Sequence, residues 1–490
     1  MSQPELNHVV LRPASKNERR YITRHALGFY RALTMTGLYT LDIDTNTDPF
    51  DLTNPESYFP AMKWCIAAHP ILSSAITDQD TENPVLVRPK EGVDLRRHVR
   101  IVYPDDDAAD GVDEMDALRR VLVKTHDENF VDVESVPPWR IVVIPLPRRE
   151  KDKDTKDRVY IILAYSHSVG DGRSGLVFHR TFLEGLRVAQ QVHDRSADYI
   201  VPEPLPLPKS LEESCVVKIT WSYLLLTLFG AYLPAFVARW FDFQTPAVTE
   251  GRWTGEVMQY PDDPDDFRTG AAILIVPHER MDAVLDAVDN FIGQVVVDLR
   301  GLIPSYSDEM MVNCVSAVSE VSARVQHDMD LNSDPAFWNA VRKTTKRLAE
   351  SSATLVDQPI GLLKYLNKFR PWFLEKLGQH RVSSYEISNA VLFDPSLAST
   401  STPKPKSPSG PGSGEQAEKR EIKWDIERMI MSQPANVTNC PLNSSVVTRK
   451  GGDMALTASW QVGVLGAEDE EAFVRDELAR IDENLNKIAS

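Results

Sequence analysis

An unbroken apolar run, Val159-Tyr160-Ile161-Ile162-Leu163-Ala164-Tyr165, ends just before a histidine. β-Branched and aromatic residues without polar interruption read as a strand buried on both faces, so His167 stands at the mouth of a core strand. The next residues, Ser168-Val169-Gly170-Asp171-Gly172, set glycines on either side of an acid, and Leu176, His179, Leu183 and Leu186 then recur at helical spacing. Strand, glycine-bearing turn and helix follow in order, and the imidazole faces a cleft rather than solvent. Trp139 to Ile144 predicts a second strand, and the charged segment Arg148 to Arg158 predicts the solvated hairpin loop between the two.

A histidine so placed suits proton transfer, because its unperturbed pKa lies near neutrality. No Ser or Cys stands in a nucleophile-elbow pattern, which favours direct transfer over a covalent enzyme intermediate. His25, His69 and His179 have no partner pattern. No His, Asp or Glu cluster has metal-ligand spacing, and the acidic runs at 105–107 and 262–266 read as solvated loops.

The chain has 490 residues and a hydrophobic fraction of 42%, enough for a large core. Its net charge of -17 excludes non-specific nucleic-acid binding, which draws on clustered Lys and Arg. Cys65, Cys215, Cys314 and Cys440 are scattered and no apolar targeting run opens the chain, so a reducing cytoplasmic setting is expected. Asn436-Val437-Thr438 and Asn443-Ser444-Ser445 match the glycosylation sequon by chance.

Ser15-Lys16-Asn17-Glu18 has the form of a capping box, followed by a helical stretch through Tyr21, Leu27, Tyr30 and Leu33. Pro202, Pro204, Pro206 and Pro208 make an extended connector. From Ile219 to Ala238 there is no formal charge, which predicts a buried or interfacial helix, with a membrane anchor as the competing reading. Ala271 to Val276 and Gln294 to Val297 read as strands with the helix Met281 to Val288 between them; residues 401 to 419 form a flexible insertion. Leu456 to Leu465 is strand-like, and Phe473, Leu478, Ile481, Leu485 and Ile488 make the packing stripe of a terminal helix.

His167 to Gly172, Pro138-Trp139-Arg140, Val297-Asp298-Leu299-Arg300 and Ser388-Asn389 together resemble the fungal alcohol acetyltransferase branch of the CoA-dependent acyltransferase superfamily. That superfamily, marked by His-x-x-x-Asp-Gly, also holds chloramphenicol acetyltransferase, the plant BAHD enzymes and the condensation domains of peptide synthetases. The likeness covers most of residues 10 to 200 and, more patchily, 250 to 305 and 380 to 465. It implies an α/β fold of two chloramphenicol-acetyltransferase-like mixed-sheet units around a central channel. Residues 1–200 form the unit with the motif, 201–250 the proline-rich connector and apolar helix, and 251–490 the second unit with its insertion. A further helix and strand are then expected between the helix near Ala287 and the strand ending at Arg300, where Phe291-Ile292-Gly293 joins them almost directly.

The resemblance implies transfer of an acetyl or other short acyl group from acyl-CoA, as co-substrate, to a small-molecule alcohol. No cofactor is permanently bound, no metal or nucleic acid is involved, and Ile219 to Ala238 contacts a membrane surface if it is not core. His167 is then the general base. Asp171 either orients the imidazole or, as the resemblance implies, turns away to pair with an arginine; Arg300 matches that partner and Arg140 competes with it. Gly172 completes the turn. Ser388 and Asn389 match a Ser-Asn-x-Gly pattern facing the histidine across the channel, where they could bind an oxyanion, but Val391 stands at the glycine position. Two other readings keep the fold: a condensation-type enzyme fed by a carrier protein, and a non-catalytic homologue.

Overall fold

The computed structural model describes residues 7–489 apart from 43–49, 104–112, 148–155, 190–197, 201, 203–204, 233–255, 278–291, 322–334, 382 and 398–422. Two mixed sheets carry the core. The first has the order β14-β2-β8-β7-β6: β2 (Ala32–Asp42), β6 (Val99–Ile101), β7 (Trp139–Pro145), β8 (Asp157–Ser166) and β14 (Lys423–Ser432). Every residue of β8 from Val159 to Ser166 is buried, because the strand lies between antiparallel β2 and β7 and has a helix against its face. The hairpin of β7 and β8 is present; the tip of its connecting loop lies outside the described residues.

The second sheet has the order β10-β16-β15-β13-β11-β12: β10 (Thr269–Val276), β11 (Ile292–Asp298), β12 (Val315–Val321), β13 (Tyr385–Phe393), β15 (Leu442–Arg449) and β16 (Met454–Gln461). Strand β13 runs parallel to both β11 and β15. Two small sheets complete the strands: β1 (His8–Pro13), β4 (Val85–Pro89) and β3 (Ala75–Thr77) in one, β5 (Val93–Asp94) and β9 (Tyr199–Ile200) in the other. The units are not consecutive in the chain. Strand β14, from the C-terminal half, pairs along β2 with Ile430 opposite Thr36 and so completes the first sheet.

Helix α1 (Lys16–Ala26) begins at a capping box: the Ser15 side chain accepts from the Glu18 N–H, and the Glu18 carboxylate accepts from the Ser15 N–H at 2.8 Å. The helix does not continue through Tyr30 and Leu33. Gly28 has φ +75°, which turns the chain out of the helix, and Ala32 opens β2. Helices α2 (Phe59–Ala68), α3 (Glu114–Asp127) and α4 (Gly172–Ala189) flank the first sheet, and the short α5 (Leu211–Ser214) leads out of the proline connector.

Helix α6 (Trp221–Tyr232) is not buried. Trp221 is 78% exposed, and Leu225, Leu226 and Leu228 are also on the surface. Among the described residues no helix is long and apolar enough to cross a membrane. The rest of the uncharged run, the helix expected at 281–288 and the insertion at 401–419 lie outside the described residues, as does most of the shortened connection before β11. The terminal helix Glu470–Ala489 packs Val474, Leu478 and Leu485 on β10 and β16. Phe473, expected in that stripe, is 45% exposed, and Val474 takes the inward position in line with Leu478 and Leu485. The sequon residues Asn436 and Asn443 are buried.

Candidate active site

The strand β8 ends at Ser166, the chain turns through His167 to Asp171, and α4 starts at Gly172. Asp171 caps that helix: its Oδ1 accepts from the Ser174 N–H and from the Ser174 hydroxyl, both at 3.0 Å. A Cβ on Gly172 would stand 2.7 Å from the Met431 methyl, so that flexible side chain would have to shift to admit it.

Asp171 turns away from the histidine and into the protein, where Arg300 Nη2 donates to both its oxygens at 3.0 and 3.1 Å. Both side chains are essentially inaccessible. Arg140 lies elsewhere and donates to the carbonyls of Thr125 and Glu128. Arg300 also bonds Asp298 Oδ1 at 3.2 Å and the Val312 carbonyl at 3.0 Å. Burial is the largest single influence and lowers its pKa, but the charges of Asp171, Cys314 and Asp298 and the bond to Asp171 together outweigh it, and the guanidinium is held above its ordinary value. Asp171, Asp298 and Cys314 bring potential ligand atoms within 4.8 Å of one another. Arg300 bonds both carboxylates, so the positive charge a metal ion would supply there is already present.

Arg300 and Asp171 also hold residues 312–314. The Val312 N–H donates to the Ser174 hydroxyl at 3.1 Å, and the Cys314 N–H donates to Asp171 Oδ2 at 3.2 Å. Between them Asn313 reaches the histidine: its Nδ2 lies 2.7 Å from the His167 carbonyl and 2.9 Å from Nδ1 of the ring. Nε2 of His167 makes no hydrogen bond among the described residues. Tyr21, from α1, stacks on the ring with centroids 3.9 Å apart, and Tyr30 lies 5.7 Å away. Burial pushes the imidazole down to about 3, and the charges of Arg20 and Arg24 act in the same direction. The ring is therefore neutral at any ordinary pH. A groove lined in part by Asn17, Ser168, Tyr306 and Asn313 adjoins the motif.

Ser388 is buried on β13, in the same alternate set as Glu386 and Ala390. That face is turned to the first unit, since the Ala390 Cβ is 3.9 Å from the position a Cβ on Gly172 would take. Asn389 is exposed and uses its Oδ1 to accept from the Val391 N–H at 2.8 Å. Val391 itself has φ +64°, the left-handed conformation that glycine favours. His179 is core: Nδ1 meets the Tyr39 hydroxyl at 2.8 Å and Nε2 the Met35 carbonyl at 2.9 Å. His69 likewise bonds Thr181 in the interior.

Tyr21 and Tyr30 were read from the sequence only as helix positions, and Arg24, Ser174 and Asn313 were not singled out. Ser174 carried a readable signal, because Asp-x-x-Ser at a helix start is a capping pattern. The others are brought to His167 by tertiary packing, and no local spacing announces them.

The fold is one of two mixed sheets, with the His-x-x-x-Asp-Gly turn at the end of a core strand. An alcohol acetyltransferase family profile matches residues 91–237. The chain is 23% identical to the probable alcohol acetyltransferase crmB of Aspergillus fumigatus, over 90% of this chain and 93% of that protein. It is likewise 23% identical to the probable alcohol acetyltransferase FCK4 of Fusarium pseudograminearum, over 96% of this chain and 94% of that protein. The fold matches the trichothecene 15-O-acetyltransferase TRI3 of Fusarium sporotrichioides with a TM-score of 0.65 at 13% identity, covering 98% of this chain and 95% of that one. It also matches the condensation domain of the Monacolin K polyketide synthase MokA, with a TM-score of 0.50 at 13% identity and 99% of each chain covered. In sequence the chain is thus similar to alcohol acetyltransferases, and it shares its fold with an acetyltransferase and with a condensation domain.

Proposed function

We propose that this acyltransferase moves an acetyl or similarly short acyl group from acyl-CoA to an alcohol, with His167 as general base and no covalent intermediate. One arrangement carries the reading: Asn313 Nδ2 donates to the His167 carbonyl, Tyr21 stacks on the ring, and the tautomer protonated on Nδ1, whose N–H turns to that same carbonyl, leaves the Nε2 lone pair without a partner among the described residues. The alcohol hydroxyl gives its proton to Nε2 as its oxygen attacks the thioester carbonyl, and the tetrahedral intermediate collapses to the ester. The departing CoA thiolate takes the proton back from the imidazolium. Asp171 shapes the turn through Arg300 and does not touch the reacting atoms. Ser388 is the residue we assign to the oxyanion; Asn389 is occupied by its own turn.

All four cysteines are free, and the sequon asparagines are buried, which supports a cytoplasmic setting. The occupant we assign to the exposed face of α6 is a membrane surface: Trp221 and the leucines form an apolar face in an uncharged stretch preceded by Lys218.

The test is release of free CoA thiol from acetyl-CoA across a panel of alcohols. Turnover by the native chain and its loss in a folded His167→Ala variant are expected. Turnover retained in that variant removes His167 as the base, and a folded native protein that turns over no alcohol removes the reading.

A further inference from the structure

Helix α1 sets Arg20, Tyr21 and Arg24 beside His167. The Arg20 guanidinium stands 4.4 Å from the centre of the Tyr21 ring and donates to its hydroxyl at 2.6 Å. Arg24 stands 4.4 Å over the Tyr30 ring and donates to Asn436 Oδ1 at 2.7 Å. Lys376 lies over Trp372 at 4.2 Å, close enough to both arginines that, after burial, their charges help push it down to about 8. The carboxylate whose charge reaches Arg24 is Glu386, and burial pushes its pKa up, away from the charged form. Its Oε2 already accepts from Asn439 at 2.8 Å.

Cations therefore outnumber acids around His167, in a chain whose net charge is -17. Among the described residues none of Arg20, Arg24 and Lys376 forms an ion pair, and Arg24, 9% exposed, leaves its Nε–H without an acceptor. A buried guanidinium whose neighbouring carboxylate is pushed towards its neutral form is poorly compensated, and such a group next to a reacting centre can seat an anion. An anion seated there also offsets the repulsion that Arg20 and Arg24 exert on a protonated His167.

We propose that the alcohol accepted by this enzyme carries a carboxylate, held by Arg24 with support from Arg20, while its hydroxyl meets His167 Nε2. The inference rests on the acyl-transfer reading above. The anion belongs to the acceptor rather than the donor on grounds of reach. Arg24 and His167 both lie against the Tyr30 and Tyr21 rings, whereas the phosphates of CoA stand a full pantetheine arm away from the thioester. The carboxylate and hydroxyl of the acceptor are thus separated by about the span of one ring.

The experiment compares matched pairs at a fixed acetyl-CoA concentration: 4-(hydroxymethyl)benzoic acid against its methyl ester, and 6-hydroxyhexanoic acid against its methyl ester. In the native enzyme the acid of a pair is expected to exceed its ester at least about tenfold in kcat/KM. In Arg24→Gln that ratio falls to about one, and Arg24→Lys restores part of it. Esters turned over as well as acids by the native enzyme overturn the proposal, as does an equal loss for acid and ester in Arg24→Gln. A change confined to the KM for acetyl-CoA assigns the anion to the donor and overturns it too. If Arg24→Gln does not fold, Arg20→Gln supplies the same ratio. Should no alcohol turn over, the acyl-transfer reading fails separately. Calorimetry with 4-(hydroxymethyl)benzoate alone then decides the anion site: binding lost in the Arg24 or Arg20 variant supports it, and no binding to the native protein sinks it.

Discussion

The side-chain nitrogen of Asn313 lies 2.7 Å from the carbonyl oxygen of His167 and 2.9 Å from Nδ1 of its ring, joining residues 146 positions apart. The backbone on either side of Asn313 is tied to Arg300, Ser174 and Asp171. The buried ion pair therefore acts on the histidine through Asn313, which donates to the His167 carbonyl and so holds the turn that carries the ring. Asn313→Ala should lower kcat, by up to about 100-fold, while KM for the alcohol changes little, because a misdirected base costs rate rather than binding. Steady-state kinetics on the folded variant checks this, and a loss carried by KM alone contradicts it.

Asp171 and Arg300 should behave as one unit. Asp171→Asn leaves the buried guanidinium with only the longer contact to Asp298, and Arg300→Met leaves the Asp171 carboxylate buried without a cation, each costing up to about 3 to 5 kcal/mol. The double variant Asp171→Asn/Arg300→Met should be less damaged than the two losses added. Urea unfolding of the four proteins measures the coupling, and simple additivity would remove the pair.

Acid should unfold this protein well above the carboxylate range. Burial pushes His25, His69, His98, His126 and His179 down to about 4. Their folded-state values lie below the unfolded value of about 6.5, so the unfolded chain binds more protons as pH falls. Their contribution is fully present above about pH 6.5 and is lost as pH drops towards 4, at about 1.4 kcal/mol per pH unit for each histidine. Melting temperature measured from pH 7 to pH 4.5 should fall steeply; a flat profile would show that these histidines are not buried in neutral form.

Val391 occupies a left-handed backbone conformation at an exposed position of the β13 bulge. For a β-branched residue this costs about 1 to 2 kcal/mol, and the greater freedom of glycine in the unfolded chain offsets about 0.5 to 1. Val391→Gly should therefore raise stability by about 0.5 to 1 kcal/mol. Thermal unfolding checks it, and a lowered midpoint would mean the backbone there is not strained.

The exposed face of α6 predicts binding to anionic lipid vesicles, and Trp221→Ala/Leu225→Ser should release the protein into the supernatant without changing its melting temperature. If the native chain stays in solution with vesicles present, the face has another use.

The sequence by itself determined the strand, turn and helix around His167, because an apolar run, glycines and helical spacing are local signals that survive without a partner. It also determined the start of α1, where Ser15 and Glu18 satisfy each other's backbone groups within one turn. The helix end was misread, since Tyr30 and Leu33 are apolar for the sake of a strand and the histidine pocket, and periodicity does not tell which neighbour an apolar residue serves. Tertiary structure alone decided that β14 crosses into the first sheet, that Arg300 rather than Arg140 meets Asp171, and that Asn313 and Arg24 stand beside His167. Each of those contacts closes a loop of a hundred residues or more. Charge and hydrogen-bonding capacity are written in the sequence, but their partners are set by which faces the two sheets bury against each other.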